Sequence, residues 1–321
     1  MRGEEVYLPL YESKMIHQFD HRHGTFEGQS PEEVIKGFCR EPSTIEYNDP
    51  KFTVEPRYWV SEAEVERAVG KTKRYWFISF RDVTRAVDRR TATFAVLPWS
   101  AIGNQLPVIL FAYTPVYPLC AFLANVNSFA FDFVARQKVG GIHMNFFIVK
   151  QLPVLPPDCY TPTLLNFIVP RVVELTYTAW DLAPFAQDVL AEAGQGSGGA
   201  GEQGSGGAGE QGSGGAGEQG RTVLLDALLR QWMENWQVAA PPPLGPAAPL
   251  PPFRWDEERR AALRAELDAL YAHLYGLTRE ELAYIMDTFP IVRRKDEKQW
   301  GEYRTKRLVL ENYDALEGRF E

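Results

Sequence analysis

Cysteine is scarce: Cys39, Cys120 and Cys159 are the only three among 321 residues, and they lie far apart with no CxxC pair. That excludes a disulfide-stapled scaffold and the usual zinc ribbons, and predicts reduced cytosolic thiols. No apolar run reaches the roughly 18 residues that span a bilayer, and the opening MRGEEVYLPL has no apolar signal core. We therefore expect a cytoplasmic protein without membrane association. No GxGxxG follows a strand and no P-loop is present. The base-stacking tetrapeptide of amino methyltransferases, Asp, Asn or Ser followed by two prolines and an aromatic, is missing, since Asn48-Asp49-Pro50 lacks the second proline. No Ser/His/Asp order or carboxylate pair stands out. His17, His21 and His23 cluster, but no fourth ligand follows at zinc-like spacing. The sequence predicts no catalytic, cofactor-binding or metal-binding residue in this chain.

Positive charge is also short overall, with 34 Lys and Arg against 42 Asp and Glu, but it is unevenly placed. Between Arg57 and Lys150 there are 12 basic against 6 acidic residues, whereas 156 to 321 holds 16 against 25. A basic centre with acidic flanks suits a protein that meets phosphates through one face.

What is present is a folded-protein composition, 45% hydrophobic and 13% aromatic. Residues 30 to 55, turn-rich with Pro31, Pro42 and Pro50, read as an excursion over the surface. Ser61-Glu62-Ala63-Glu64 reads as a helix start, ending at Gly70. Tyr75 to Phe80 and Thr93 to Pro98 read as strands, as does the apolar run Val108 to Thr114. Tyr117 to Asn125 reads as a short buried helix. The segment between the first two strands, RDVTRAVDRRT, would line up Arg81, Arg85 and Arg89 as one ridge if it were helical. Asn125 to Pro153 then runs from an apolar stretch to a basic turn at Arg136-Gln137-Lys138, breaks at Gly140-Gly141, and re-enters as an alternating strand. The glycines predict a bend where backbone approaches a ligand closely. Arg and Asn are the side chains suited to bidentate contact with guanine and adenine.

Strands mixed with short helices predict an α+β domain over 1–157. One or two helices follow over 158–193. A Gly-rich linker over 194–220 repeats GSGGAGEQ with a period of eight, the composition of a flexible coil. A helical unit occupies 221–321, with a Pro/Ala stretch at 239–252 expected to act as a stiff spacer. Within that unit Leu263, Leu267, Leu270 and Leu274 form one apolar stripe, Thr278 to Glu281 is a capping box, and Arg293-Arg294-Lys295 reads as a basic loop before a last helix.

The segments LYESKMIHQFDHR (10–22), RDVTRAVDRRT (81–91), the block from Asn125 to Pro157, and the block from Leu267 to Leu316 together resemble one architecture. It is the C-terminal half of large adenine-N6 DNA methyltransferases of the type IIG restriction–modification and phage-defence class. The resemblance implies a mixed-sheet target-recognition domain similar to those of type I specificity subunits, followed by a helical unit. It implies double-stranded DNA as partner, together with a methyltransferase or nuclease chain. It also implies that S-adenosylmethionine belongs to a catalytic domain not contained here. The DNA-contacting candidates are Lys71, Lys73, Arg74, Arg81, Arg85, Arg89 and Arg90 for phosphates, and Arg136, Lys138, His143 and Asn145 for bases. Two other readings stand beside it: a reduced adenine-N6 methyltransferase acting itself, and a docking subunit of a defence complex.

Overall fold

The computed structural model describes residues 5–70, 74–111, 114–195, 215–244 and 249–320. Alternation along the chain's most buried strands decides where its cores lie. In β3 (Trp76–Phe80) and β4 (Phe94–Pro98), every residue is buried. Trp76, Ile78, Phe80, Phe94 and Val96 enter one core; Phe77, Ala95 and Leu97 enter another on the opposite face. These strands pair antiparallel with Ile78 opposite Val96, and β6 (Val108–Ile109) extends β3 on its other edge. A second small sheet places β1 (Tyr7–Tyr11) between β2 (Trp59–Ser61), antiparallel, and β5 (Ala101–Ile102), parallel. The fold is α+β, with helix predominating.

Two short capped helices, α1 (Pro31–Lys36) and α2 (Thr44–Asn48), occupy the turn-rich excursion. Between β2 and β3 lies α3 (Glu62–Val69), closed by Gly70 at φ +71°. Its N-cap is Ser61, as expected, although the hydroxyl makes no capping bond.

The apolar stretch after β6 forms α4 (Val116–Asn127) and α5 (Phe129–Lys138). Ser128 ends the first and caps the second, its Oγ accepting from Phe131 N at 3.2 Å, and the axis bends by 60° there. The run through Arg136 is thus helical rather than turning. The expected strand before Pro153 is instead a single helical turn, α6 (Phe146–Val149). Gly140 and Gly141 are not in the left-handed region, and a Cβ on either would meet nothing within 4 Å. They mark no close approach. Among the described residues no single helix is long and apolar enough to cross a membrane; the bent pair α4–α5 passes that test only as a pair and lies largely in the core.

Helices α7 (Pro162–Thr176) and α8 (Ala183–Gln195) cover α4. Of the Gly-rich linker expected over 194–220, residues 196–214 lie outside the described residues, whereas 194–195 end α8 and 215–220 begin the next helix instead of being coil. That helix is α9 (Gly215–Trp236), whose Trp232 and Trp236 indoles donate to the carbonyls of Pro251 and Pro252, at 2.9 and 3.1 Å. Tyr177 Oη donates to Leu250 O at 2.8 Å. The end of the Pro/Ala stretch is therefore strapped to the core, not a free spacer. Four helices complete the chain: α10 (Glu257–Leu274), α11 (Arg279–Asp287), α12 (Pro290–Trp300) and α13 (Arg304–Leu316). The leucine stripe buries Leu263, Leu267 and Leu270, and the Thr278–Glu281 capping box forms in both directions. The basic triplet Arg293-Arg294-Lys295, read as a loop, lies inside α12, because Pro290 sits at the first helical position, where a missing N–H costs nothing.

Candidate nucleic-acid interface

The loop of residues 81–91 joins β3 to β4 without becoming a helix, so no ridge of stacked arginines forms. Its far end is held by Asp132 of α5, which is fully buried. Asp132 accepts from Thr91 N at 3.0 Å, Ala92 N at 3.1 Å and Arg90 Nε at 2.6 Å. The middle of the loop pairs with the segment after α5. Val83 and His143 form an antiparallel bridge, Thr84 N donates to Ile142 O at 3.1 Å, and Met144 N donates to Asp82 O at 2.8 Å. Two segments thus make one knuckle above β3.

The eleven candidates divide sharply. Arg81 folds inward and donates to the carbonyls of Ser13 and Ile16, and burial lowers its pKa. Arg90 donates to Asp132 and to Asn127 O and lies 3.9 Å over the Phe129 ring. Arg136, its side chain 7% exposed, donates to Thr288 O, Asp88 O and Arg89 O and lies 3.8 Å over Phe289. Arg74 donates to Phe111 O and Thr114 O and lies 3.8 Å from Asp188. These four guanidiniums hold distant backbone carbonyls together. Lys71 and Lys73 lie outside the described residues.

Arg85, Arg89, Lys138, His143 and Asn145 remain open to solvent. Arg85 pairs with Asp88 at 2.9 Å, and His143 Nδ1 lies 3.0 Å from Asp82 Oδ2. Asn145 caps α6, its Oδ1 accepting from Ile148 N at 3.2 Å, which leaves Nδ2 as its free group. A bidentate contact to adenine would require giving up that cap. Val83, Val87, Ile142, Phe146 and Phe147 are exposed between these polar groups, an apolar component that the sequence reading missed because both segments read as wholly buried or basic.

Behind the knuckle is a cavity of about 430 Å³, walled by His17, Arg89 and Arg90 on one side and by Arg264, Asp296 and Trp300 of the C-terminal helices on the other. Arg89 is reached by solvent, yet protein crowds its concave setting enough to lower its pKa. His17 is pushed well below the usual histidine range, first by burial and then by His23, Arg89 and other nearby arginines. Arg264 was invisible as a site residue because its spacing marks only the polar face of α10. Among the described residues no group of three metal-ligating side chains comes together. His21, expected beside His17, instead meets Asp181 at 2.9 Å. No protein-family model, curated protein or solved structure matches the chain.

Proposed function

We propose that this chain is the DNA sequence-recognition module of an adenine-specific methyltransferase or restriction–modification system, reading duplex DNA for a catalytic domain carried elsewhere. One observation carries the reading: Arg85, Arg89, Lys138 and His143 stay solvent-facing on two segments bridged at Val83–His143, above a base that Asp132 and Arg136 make rigid. A pre-organised base is what positions a few side chains for groove readout. Arg85 and Lys138 supply phosphate or guanine contacts, and Asn145 keeps only a donor for a base edge. Ile142, Phe146 and Phe147 suit thymine methyl groups or a wedge against a base step.

The test is titration of the full chain with duplex oligonucleotides at two salt concentrations, with and without S-adenosylmethionine. The expected result is binding that weakens steeply with salt, is indifferent to the cofactor, and is reduced by Arg85→Glu and Lys138→Glu. Salt-independent binding, or none, would sink the proposal. Clear micromolar S-adenosylmethionine binding would favour the chain as a methyltransferase in its own right. A second reading has its own support: five exposed apolar side chains on one knuckle are the material of a protein-docking face. A stable complex with a partner chain that survives both charge reversals but not Phe147→Asp would favour docking.

A further inference from the structure

We infer that the cavity between the 81–91 loop and the C-terminal helices is a binding site for a small phosphorylated ligand of mononucleotide size, sharing only Arg89 with the knuckle proposed to read DNA. Its volume, about 430 Å³, lies in the range of small-molecule sites. A single nucleotide fits a space of this volume; a duplex does not.

The hydrogen-bonding capacity of its wall is asymmetrically filled. Most of the lining carboxylates already have firm partners in the protein. Glu258 pairs with Arg304, Asp296 accepts from Thr305 N at 2.6 Å, Asp268 from Phe129 N at 2.7 Å, and Glu257 from Trp255 Nε1 at 2.8 Å. Glu41, on the rim, lies 3.8 Å from His23. Of the lining arginines, Arg90 and Arg304 are likewise paired. Arg89 and Arg264 are not: neither side chain has a hydrogen bond or ion pair among the described residues.

Neither guanidinium has a directional partner: Asp296, Glu41 and Glu257 act on Arg89, and Glu257 on Arg264, only through space, while burial costs both. Burial and the nearby positive charges of Arg260, Arg89 and Arg90 push Arg264 down to about 10, so it still carries its proton at neutral pH. A phosphate monoester carries enough acceptor oxygens to fill both unoccupied guanidinium forks at once. The lining carboxylates keep unused lone pairs, which accept from sugar hydroxyls or a base amine; this favours an organic phosphate over the inorganic ion. Trp300, 45% exposed with Arg304 stacked 4.5 Å from its ring, supplies a flat surface at the mouth.

Calorimetric titration of the full chain with adenosine monophosphate, adenosine and inorganic phosphate tests the assignment. The monophosphate is expected to bind, and adenosine to bind at least about tenfold more weakly, the share of a charge-assisted contact. Arg89→Gln and Arg264→Gln should each weaken the monophosphate by about tenfold or more, whereas Arg85→Gln should leave it unchanged. Arg89 is solvent-reached, so its variant keeps the fold, and circular dichroism verifies that for both. No monophosphate binding, or binding retained by both variants, overturns the inference. Displacement of the monophosphate by a duplex oligonucleotide would identify a DNA phosphate as the occupant and overturn the small-ligand assignment.

Discussion

Arg22 is completely buried and makes the densest set of side-chain bonds among the described residues. Its guanidinium donates to the carbonyls of Tyr47 at 3.0 Å, Asp49 at 3.1 Å, Phe52 at 3.3 Å and Thr178 at 3.1 Å, and to the Thr178 hydroxyl. Methionine in its place would fill the volume but strand those acceptors and leave Asp20 and Asp181 without the cation. Arg22→Met should destabilise by about 3–5 kcal/mol, read as a lower urea midpoint at unchanged slope; a shift under 1 kcal/mol would contradict this account. Asp268 behaves differently, because burial raises its carboxyl to about 6 while Arg90 and the Phe129 N–H oppose the rise. The folded state then holds a proton that the unfolded chain releases near pH 4. Stability from this group is present at low pH and is lost as pH climbs from about 4 through 6, by on the order of 3 kcal/mol. Asp268→Asn keeps an oxygen for the Phe129 N–H and should flatten that part of the pH profile. None of these roles is legible from sequence. An arginine that reaches a carbonyl 156 residues away, as Arg22 does at Thr178, looks identical to one facing solvent.

At the scale of elements, local chemistry was readable wherever a cap or a stripe supplied it. The Thr278 box is one case: Thr278→Ala should cost about 1 kcal/mol and lower the thermal midpoint by a few degrees, and no shift would mean α11 is held by packing alone. The buried strands were readable too, since β-branched and aromatic residues crowd β3 and β4. Failure came where a run is apolar on every side. Phe129-Ala130-Phe131-Asp132-Phe133 alternates like a strand, yet Ser128 supplies a cap, Asp132 sits in the first turn, and the helix is buried almost all round. Arg293-Arg294-Lys295 reads as a loop because nothing but Pro290, three residues before it, marks the start of α12. The candidate site suffered most from this, because turning 129–138 into a helix points Arg136 inward and leaves Lys138 at the exposed end.

Across the whole molecule, the expected division at residue 157 does not separate two cores. One apolar cluster runs from Phe19 to Leu316, and a second joins Phe129 of α5 to Ala272, Ile285 and Phe289 of the C-terminal helices. The Phe129 and Phe289 rings meet edge-on at 4.7 Å, and Asn125 Nδ2 donates to Tyr275 Oη at 2.6 Å. Full-chain unfolding in urea should therefore be one cooperative transition by tryptophan fluorescence and by circular dichroism alike. A fragment of residues 1–195 should lose near-ultraviolet dichroism and bind hydrophobic dyes. Two separated transitions, or a fragment with native packing, would restore the notion of autonomous domains.

That arrangement also dictates when the protein can finish folding. Phe129 leaves the ribosome well before its partners at 285 to 289, and Arg22 well before Thr178. At about 5–20 residues per second, Phe129 waits roughly 8–32 s for Phe289 to be synthesised. During that interval the apolar α4–α5 surface has no cover and is open to chaperones and to mispairing with other nascent chains. Synonymous changes that slow translation between 140 and 257 would lengthen the exposure without altering a single residue.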